Sequence, residues 1–226
     1  MNHSTDGSAE HRIPSGSDAC ESGESRRNAK DPLQELAVFA QTLPGPGACA
    51  DAEEWFSAQS ESLVSWARRE QWLVDASELE HLTAGLKRLE GGLEHRVFFH
   101  EEMRRVLKIT KAPFFGTQVE AWRYARNALW ANLLFGDDIR LEGILLTQEG
   151  ASIVISQPLV QGDSPTLEQI AQWFTDQGYR ADGFNKWCNE AGTVIADTHP
   201  GNFIRIEDGT LIPIDLQILS VGAADL

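Results

Sequence analysis

The sequence predicts an α+β fold in which a helical N-terminal segment precedes a small, mostly antiparallel sheet. Apolar residues recur at helical spacing between residues 31 and 90. After Gly91 and Gly92 the apolar period shortens to that of strands, and the elements follow in the order strand, strand, helix, strand, strand. A chain of 226 residues has room for one domain with an appendage.

Composition argues against several classes of partner. Asp and Glu number 34 against 19 Lys and Arg, a formal net charge of −15, so the chain lacks the basic excess that nucleic-acid and anionic membrane surfaces require. No apolar run approaches the ~18–20 residues of a membrane span, and the N-terminus lacks a secretory pattern. The three cysteines are widely spaced, so we expect a cytoplasmic protein with reduced thiols. The sequence indicates no particular oligomeric state.

The N-terminal part divides into a tail and a helical extension. Residues 1–30 carry few bulky apolar side chains, so we expect a disordered tail, because such a stretch buries too little surface to offset its ordering entropy. Residues 31–90 are predicted to be all-helical. The first helix begins at Asp31-Pro32, an N-cap followed by proline, and ends before residues 44–47. Two further helices are predicted over residues 51–73 and 77–90.

The remaining residues carry the predicted sheet and a second helical and strand region. Within residues 91–160 we predict strands over Arg96–Phe99, Arg105–Thr110, Ile139–Thr147 and Ala151–Gln157, and a helix over Gln118–Phe135. Within residues 161–226 a helix is expected between Ser164 and Gly178. A buried strand, Thr193–Ala196, precedes a polar loop, and a hairpin follows over Phe203–Ile206 and Leu211–Ile214.

Lys108 is the first residue that suggests chemistry. It lies inside an apolar strand, where an ammonium group is costly unless it meets an anion. The alternative is a lysine on an edge strand that points to solvent.

Asp197 and Asn202 lie five residues apart in the loop Asp-Thr-His-Pro-Gly-Asn, directly after a buried strand. Phosphoryl transfer needs a carboxylate that accepts a hydroxyl proton and a neutral oxygen ligand for magnesium nearby, and this spacing lets both side chains face one phosphate. Asp215 ends the returning strand of the hairpin in an apolar setting that favours a liganded carboxylate. The alternative is a surface turn, because Asp, Pro, Gly and Asn are common turn residues.

These residues, in this order, resemble the protein-kinase-like fold. Residues 91–221 are similar to the kinase-like domains of polyvalent proteins from phages and conjugative elements. The matching stretches are Gly92–Val97, Arg105–Thr110, Leu134–Gly143, Ser156–Pro158, Ala196–Asn202 and Pro213–Gln217. The Asp197–Asn202 loop also resembles that of aminoglycoside phosphotransferases and choline kinases.

The resemblance implies a role for each candidate residue. Asp197 would be the catalytic base, and Asn202 with Asp215 would hold Mg²⁺. Lys108 would contact the α- and β-phosphates of ATP, paired with Glu120 at the start of the following helix. For Glu120 the alternative is an exposed carboxylate that favours the helix N-terminus.

The same resemblance assigns the remaining nucleotide contacts. Gly91 and Gly92 would begin the loop over the nucleotide, and Gln157 and Leu159 would lie in the connector beside the adenine. In this scheme residues 91–160 form the N-terminal lobe and residues 161–226 a truncated C-terminal lobe. Leu216-Gln217 replaces the Phe-Gly that follows the metal-binding aspartate in kinases.

The sequence therefore predicts a minimal two-lobed kinase-like fold and an ATP–Mg²⁺-dependent phosphotransferase acting on an unidentified hydroxyl acceptor. The alternatives are a nucleotide-binding pseudokinase and a non-catalytic interaction module of a mobile genetic element. Eleven residues follow Asp215, too few for the helices that usually support the catalytic loop. We therefore expect the helices of residues 31–90 to dock against residues 164–204 and to replace part of that support.

Overall fold

The computed structural model describes residues 31–89, 94–100 and 104–225. These residues carry five α-helices and twelve strands, so the predicted α+β class is confirmed. The segment predicted as a disordered tail and the two glycines Gly91 and Gly92 lie outside the described residues.

The helices, in chain order, are α1 (Pro32–Ala40), α2 (Ala52–Arg69), α3 (Ala76–Thr83), α4 (Ala121–Phe135) and α5 (Leu167–Asp176). The first six strands are β1 (Leu73–Val74), β2 (Lys87–Leu89), β3 (His95–His100), β4 (Arg105–Thr110), β5 (Arg140–Thr147) and β6 (Gly150–Pro158). The other six are β7 (Arg180–Ala181), β8 (Lys186–Cys188), β9 (Val194–Ala196), β10 (Phe203–Arg205), β11 (Leu211–Pro213) and β12 (Gln217–Ser220).

A six-stranded sheet runs in the order β1-β5-β6-β4-β3-β2. Every neighbouring pair in it is antiparallel except β1 and β5, which are parallel. Strand β4 is central, and its Lys108 pairs with Val97 of β3 and Ile155 of β6. Lys108 is 8% exposed, so the alternative of a solvent-facing lysine on an edge strand is excluded.

Helix ends follow local side-chain chemistry. Asp31 accepts a hydrogen bond from the backbone N–H of Leu33 and caps α1, as the sequence predicted. The capping box of α3 is formed by Asp75 and Glu78, two residues earlier than the predicted box. Helix α4 ends at Gly136, whose φ of 69° is easily reached only without a β-carbon.

Residues 31–90 are not all helical, contrary to the prediction. Strand β1 adds to one edge of the six-stranded sheet and β2 to the other. Both strands have three residues or fewer, and their partners are distant in the chain or lie beyond the two glycines. Such short segments leave no detectable apolar period, so the sequence pattern could not reveal them.

The predicted docking of the N-terminal helices against residues 164–204 is also wrong. Helices α1 and α2 pack on α4 and on strands β5 and β6. The apolar face of α1 meets a row of alanines on α4, and the small side chains permit close approach of the two helices. The residues concerned are Leu33, Leu36, Ala37 and Ala40 on α1, and Ala121, Ala125, Ala128 and Ala131 on α4. Gln59 of α2 adds a polar tie, because its Oε1 accepts from the Ala121 backbone N–H.

The C-terminal part has its own apolar cluster, distinct from the one beneath the six-stranded sheet. Phe174 of α5 is fully buried and stacks on Trp187 of β8 with 4.9 Å between ring centroids. A four-stranded sheet in the order β12-β9-β8-β7 and the hairpin β10–β11 complete this part. Residues 31–225 cluster as one unit, and the division at residue 160 stays a prediction.

Candidate functional site

One cavity of about 540 Å³ collects residues from both parts of the fold. Four of the sequence candidates line it, and we call them the four cleft residues: Lys108, Asp197, Asn202 and Asp215. Other polar residues that line it are Glu94, His95, Thr117, Gln118, Tyr124, Asn127, His199 and Gln217.

Lys108 meets the anion that its buried position requires. Its Nζ lies 3.4 Å from a carboxylate oxygen of Asp215 and 3.4 Å from the backbone carbonyl oxygen of Ile214. The Asp215 side chain is half exposed, whereas that of Lys108 is buried. Asp215 therefore presents a carboxylate to the cavity from one side while it contacts the lysine from the other.

The loop after β9 brings Asp197 and Asn202 together. The Nδ2 of Asn202 donates to the backbone carbonyl and to a carboxylate oxygen of Asp197, both at 2.9 Å. An amide offers hydrogen atoms on nitrogen and lone pairs on oxygen, so Oδ1 of Asn202 is left for a cation. Asp197 has a φ of 60°, a left-handed conformation that Asp and Asn adopt more readily than most residues and that often marks functional sites.

Asn127 of α4 holds the segment that follows Asp215. Its Nδ2 donates to the backbone carbonyl of Leu216 at 3.0 Å, and its Oδ1 accepts from the backbone N–H of Ile218 at 2.6 Å. Gln157 of β6 donates to the carbonyl of Ile214 from the other side at 3.3 Å. The backbone on both sides of Asp215 is thereby fixed by side chains.

Asn127 is not among the site residues predicted from the sequence. A signal existed in the sequence, because this asparagine is next to Ala128, one of the alanines that recur every three or four residues along the helix. A polar amide at a packed position is expected to bond a backbone group.

The loop of residues 197–202 is held by residues of the C-terminal part of the fold. Strand β12 pairs with β9, the strand that leads into Asp197. Asp225 accepts hydrogen bonds from Asn189 and Thr193, which flank the turn before β9. The backbone N–H of Thr198 donates to the carbonyl of Asn185 at 3.2 Å. These contacts, and not the N-terminal helices, hold the loop.

Burial shapes the electrostatics at the start of β3. Burial, followed by the charges of Asp215 and Asp197, raises the pKa of Glu94 above its ordinary value. Burial lowers the pKa of His95 to about 4, and the ammonium groups of Lys108 and Lys111 add to this while Asp215 opposes it. The hydroxyl of Tyr124 lies 3.1 Å from Nε2 of His95. We therefore expect a neutral imidazole in the wall of the cavity at pH 7.

The predicted Lys108–Glu120 pair is not formed in this structure, and the roles of Gln157 and Leu159 beside the adenine stay predictions. Glu120 occupies the N-cap position of α4 without a capping hydrogen bond from its side chain. Its carboxylate accepts from Arg123 and from Nε1 of Trp122, so it does not pair with Lys108. The side chain of Gln157 is directed to Ile214. The backbone N–H of Leu159 is engaged by the carbonyl of Arg104 at 2.8 Å, and Leu159 does not line the large cavity. Gly91 and Gly92 lie outside the described residues.

The donor set of the cleft fits magnesium. Asp215 offers a carboxylate and Asn202 an amide oxygen, and Mg²⁺ prefers oxygen ligands, taking one or two protein carboxylates together with phosphates and water. Over the described ranges no group of three or more His, Cys, Asp or Glu side chains is arranged for a metal. A sparse protein ligand set of this kind suits a metal that arrives with a nucleotide.

Comparison with known proteins adds one finding. A family model described as a serine/threonine/tyrosine kinase found in polyvalent proteins matches residues 57–219. Neither the curated proteins nor the solved structures contain a significant match. The likeness of the Asp197–Asn202 loop to aminoglycoside phosphotransferases thus stays a resemblance of one motif. None of the helices in the described ranges is both long and apolar enough for a transmembrane segment.

Proposed function

The chain belongs to the family of kinases found in polyvalent proteins, and from this premise we propose that it is an ATP- and Mg²⁺-dependent phosphotransferase that acts on a hydroxyl group. One observation carries the proposal: the four cleft residues, which come from three different elements of the chain, line a single cavity of about 540 Å³. This volume lies within the range of small-molecule binding sites.

The charges of the cleft suit a metal-bound polyphosphate. Lys108 supplies one positive charge toward the phosphates, and its burial strengthens that attraction because the local dielectric is low. Asp215 and the free Oδ1 of Asn202 would hold Mg²⁺. When bound, Mg²⁺ supplies positive charge that offsets the negative charge of the phosphate oxygens.

Asp197 is assigned the proton transfer. The acceptor oxygen forms a bond to the γ-phosphorus, the bond from that phosphorus to the bridging oxygen of ADP breaks, and its electron pair leaves with ADP. The hydroxyl proton passes to the Asp197 carboxylate. Asn202 donates to the same carboxylate at 2.9 Å and so keeps its orientation toward the cleft.

The test begins with binding. Isothermal titration of the full chain with ATP and Mg²⁺ is expected to give saturable binding that is lost when Mg²⁺ is removed. Single-turnover measurement with γ-labelled ATP is then expected to show release or transfer of the label. Failure of the chain to bind ATP in the presence of Mg²⁺ would overturn the proposal, and binding without label release would identify a pseudokinase.

The variant Asp197→Asn tests the assigned base. Asparagine tolerates a left-handed backbone well, so the loop is expected to keep its shape. Label release should fall by about 10²–10⁴-fold, the range for loss of a general base, while ATP binding is retained. Asp208→Asn is the matched control, because Asp208 lies in the β10–β11 turn and accepts from the N–H of Thr210 outside the cleft.

A further inference from the structure

A second cavity of about 30 Å³ adjoins the large one. Lys108 and Asp215 line both, so the lysine lies at their junction. The small cavity is closed by α4, by the start of β5 and by β6, and its apolar walls include Ala128, Ala131, Ile139 and Ile155. Its volume exceeds the space that one water molecule needs, so it can admit an ammonium group.

Asp137 faces this small cavity. It follows Gly136, the residue at which α4 ends, and it is partly buried. Within the described part of the chain its carboxylate makes no hydrogen bond and no ion pair. A partly buried carboxylate without a partner is stabilised by a cation that approaches it. Burial raises the pKa of Asp137 to about 7, and the charge of Lys108 acts to lower it.

The next residue provides a contrast. Asp138 is exposed and accepts from Arg105 and from Arg140, each at 2.8 Å. Its charge is therefore satisfied outside the cleft. Of the two adjacent aspartates, Asp137 alone lines a cavity that Lys108 also lines.

The present partner of Lys108 is the carboxylate that the proposed function assigns to Mg²⁺. A metal bound by Asp215 weakens the attraction of that carboxylate for Lys108, because the cation neutralises it. Glu120, the partner expected from the sequence, is engaged by Arg123 and Trp122. A lysine that orients phosphates needs a carboxylate to hold it. Glu94 lines the large cavity, which the nucleotide is proposed to occupy, whereas Asp137 lines the small cavity that Lys108 also lines.

We propose that Asp137 is the positioning residue of Lys108: when Asp215 binds the metal, the ammonium group exchanges Asp215 for Asp137 across the small cavity. This inference rests on the proposed phosphotransferase function. Lys108 then has one carboxylate in the nucleotide-free protein and another in the loaded protein, and its side chain is held in both.

The first test needs neither nucleotide nor metal. Asp215→Asn removes the charge that a metal would neutralise. The readout is the rate at which an amine-reactive ester acylates Lys108, measured by mass spectrometry at one fixed pH. A lysine that is held by a carboxylate reacts more slowly. Asp215→Asn and Asp137→Asn alone are each expected to change the rate by less than about twofold, because the other carboxylate remains. The double variant Asp137→Asn with Asp215→Asn should react about fivefold faster or more.

Asp215→Asn combined with Asp138→Asn is the matched control and should behave like Asp215→Asn alone. Equal rates with and without Asp137→Asn in the Asp215→Asn protein would overturn the proposal.

The second test uses the affinity for ATP with Mg²⁺. Asp137→Asn is expected to weaken binding about tenfold, a usual effect of removing a residue that orients a ligand-binding side chain. In a Lys108→Met protein the same substitution should cause no further loss, because the residue through which it acts is gone. An equal loss in both backgrounds would mean a structural role and would overturn the proposal. If the unaltered chain binds no ATP, the proposed function fails, and the acylation rates still decide the pairing of Lys108.

Discussion

The ammonium group of Lys108 lies 3.4 Å from a carboxylate oxygen of Asp215. The lysine proposed to bind phosphate is therefore paired with the carboxylate proposed to bind metal. This ion pair links the centre of the six-stranded sheet to the segment after β11. Because both groups face the same cavity, a ligand that binds one of them changes the environment of the other. Binding of nucleotide and of metal should therefore be coupled.

The first prediction concerns this pair. Lys108→Met is expected to raise the affinity of the nucleotide-free chain for Mn²⁺ about fivefold, because a positive charge beside Asp215 is removed. The same variant should bind ATP with Mg²⁺ at least about tenfold more weakly, since the phosphates lose their cation. Paramagnetic resonance of free Mn²⁺ and titration calorimetry measure the two effects. Lys186→Met, which removes a lysine paired with Asp182 outside the cleft, should change neither.

The second prediction concerns Asn127. Asn127→Ala removes both hydrogen bonds to the backbone of Leu216 and Ile218, so Asp215 loses its fixed position. We expect a loss of about 1–3 kcal/mol in the free energy of unfolding and about tenfold weaker binding of ATP with Mg²⁺.

Ser60 of α2 provides the control for this experiment. Its hydroxyl oxygen accepts from the backbone N–H of Ala151 at 2.9 Å, and neither residue lines the large or the small cavity. Ser60→Ala should also lower stability in urea unfolding but leave nucleotide affinity unchanged. Equal loss of affinity in the two variants would show that Asn127 acts through stability alone.

The order of elements in the sheet region was predictable because its boundaries carry strong local chemistry. Strand β4 matches the predicted range residue for residue, since its mostly apolar run ends at Thr110, shortly before Pro113. Helix α4 begins three residues later than predicted. Gln118 is held in a tight turn by reciprocal backbone bonds with Phe115, and Glu120 occupies the N-cap position.

The site was predictable only in part. The order and spacing of residues indicate which side chains serve a function, but not which other side chains they contact. The four cleft residues were found from their spacing and their apolar surroundings. The expected Lys108–Glu120 pair failed on a local effect, as Arg123 lies one helical turn after Glu120 and takes its carboxylate. The position of Asp137 beside the small cavity depends on α4 and β6, and no local pattern reveals that.

The third prediction concerns pH. The folded protein holds the pKa of His95 at about 4, below its ordinary value of 6.5, so the unfolded chain binds a proton between these values that the folded chain does not. The stability contributed by the neutral imidazole is therefore full above pH 6.5 and is lost as the pH falls toward 4. Glu94 and Asp137, whose pKa values are raised, act in the opposite direction over this range.

Comparison of the chain with His95→Gln isolates the histidine from those carboxylates. Between pH 7.5 and pH 4.5 the unaltered chain should lose about 2–3 kcal/mol more of its unfolding free energy than the His95→Gln protein loses. Urea unfolding at both pH values measures it. A difference that is independent of pH would show that His95 titrates normally in the fold.

The fourth prediction concerns the N-terminal helices, which support α4 and not the loop at Asp197. Leu36 is fully buried among the alanines of α4, so Leu36→Ala should lower the free energy of unfolding by about 2–5 kcal/mol. Val38→Ala on the exposed face of the same helix should change it by less than about 0.5 kcal/mol.

Because α4 also carries Asn127, partial loosening of α1 should weaken ATP binding before it affects β9 and β12. Hydrogen exchange of Leu36→Ala should accordingly rise in α1, in α4 and at residues 216–218 while the β9–β12 pairing stays protected. Faster exchange in β9 and β12 alone would instead mean that the N-terminal helices support the loop at Asp197, as the sequence suggested.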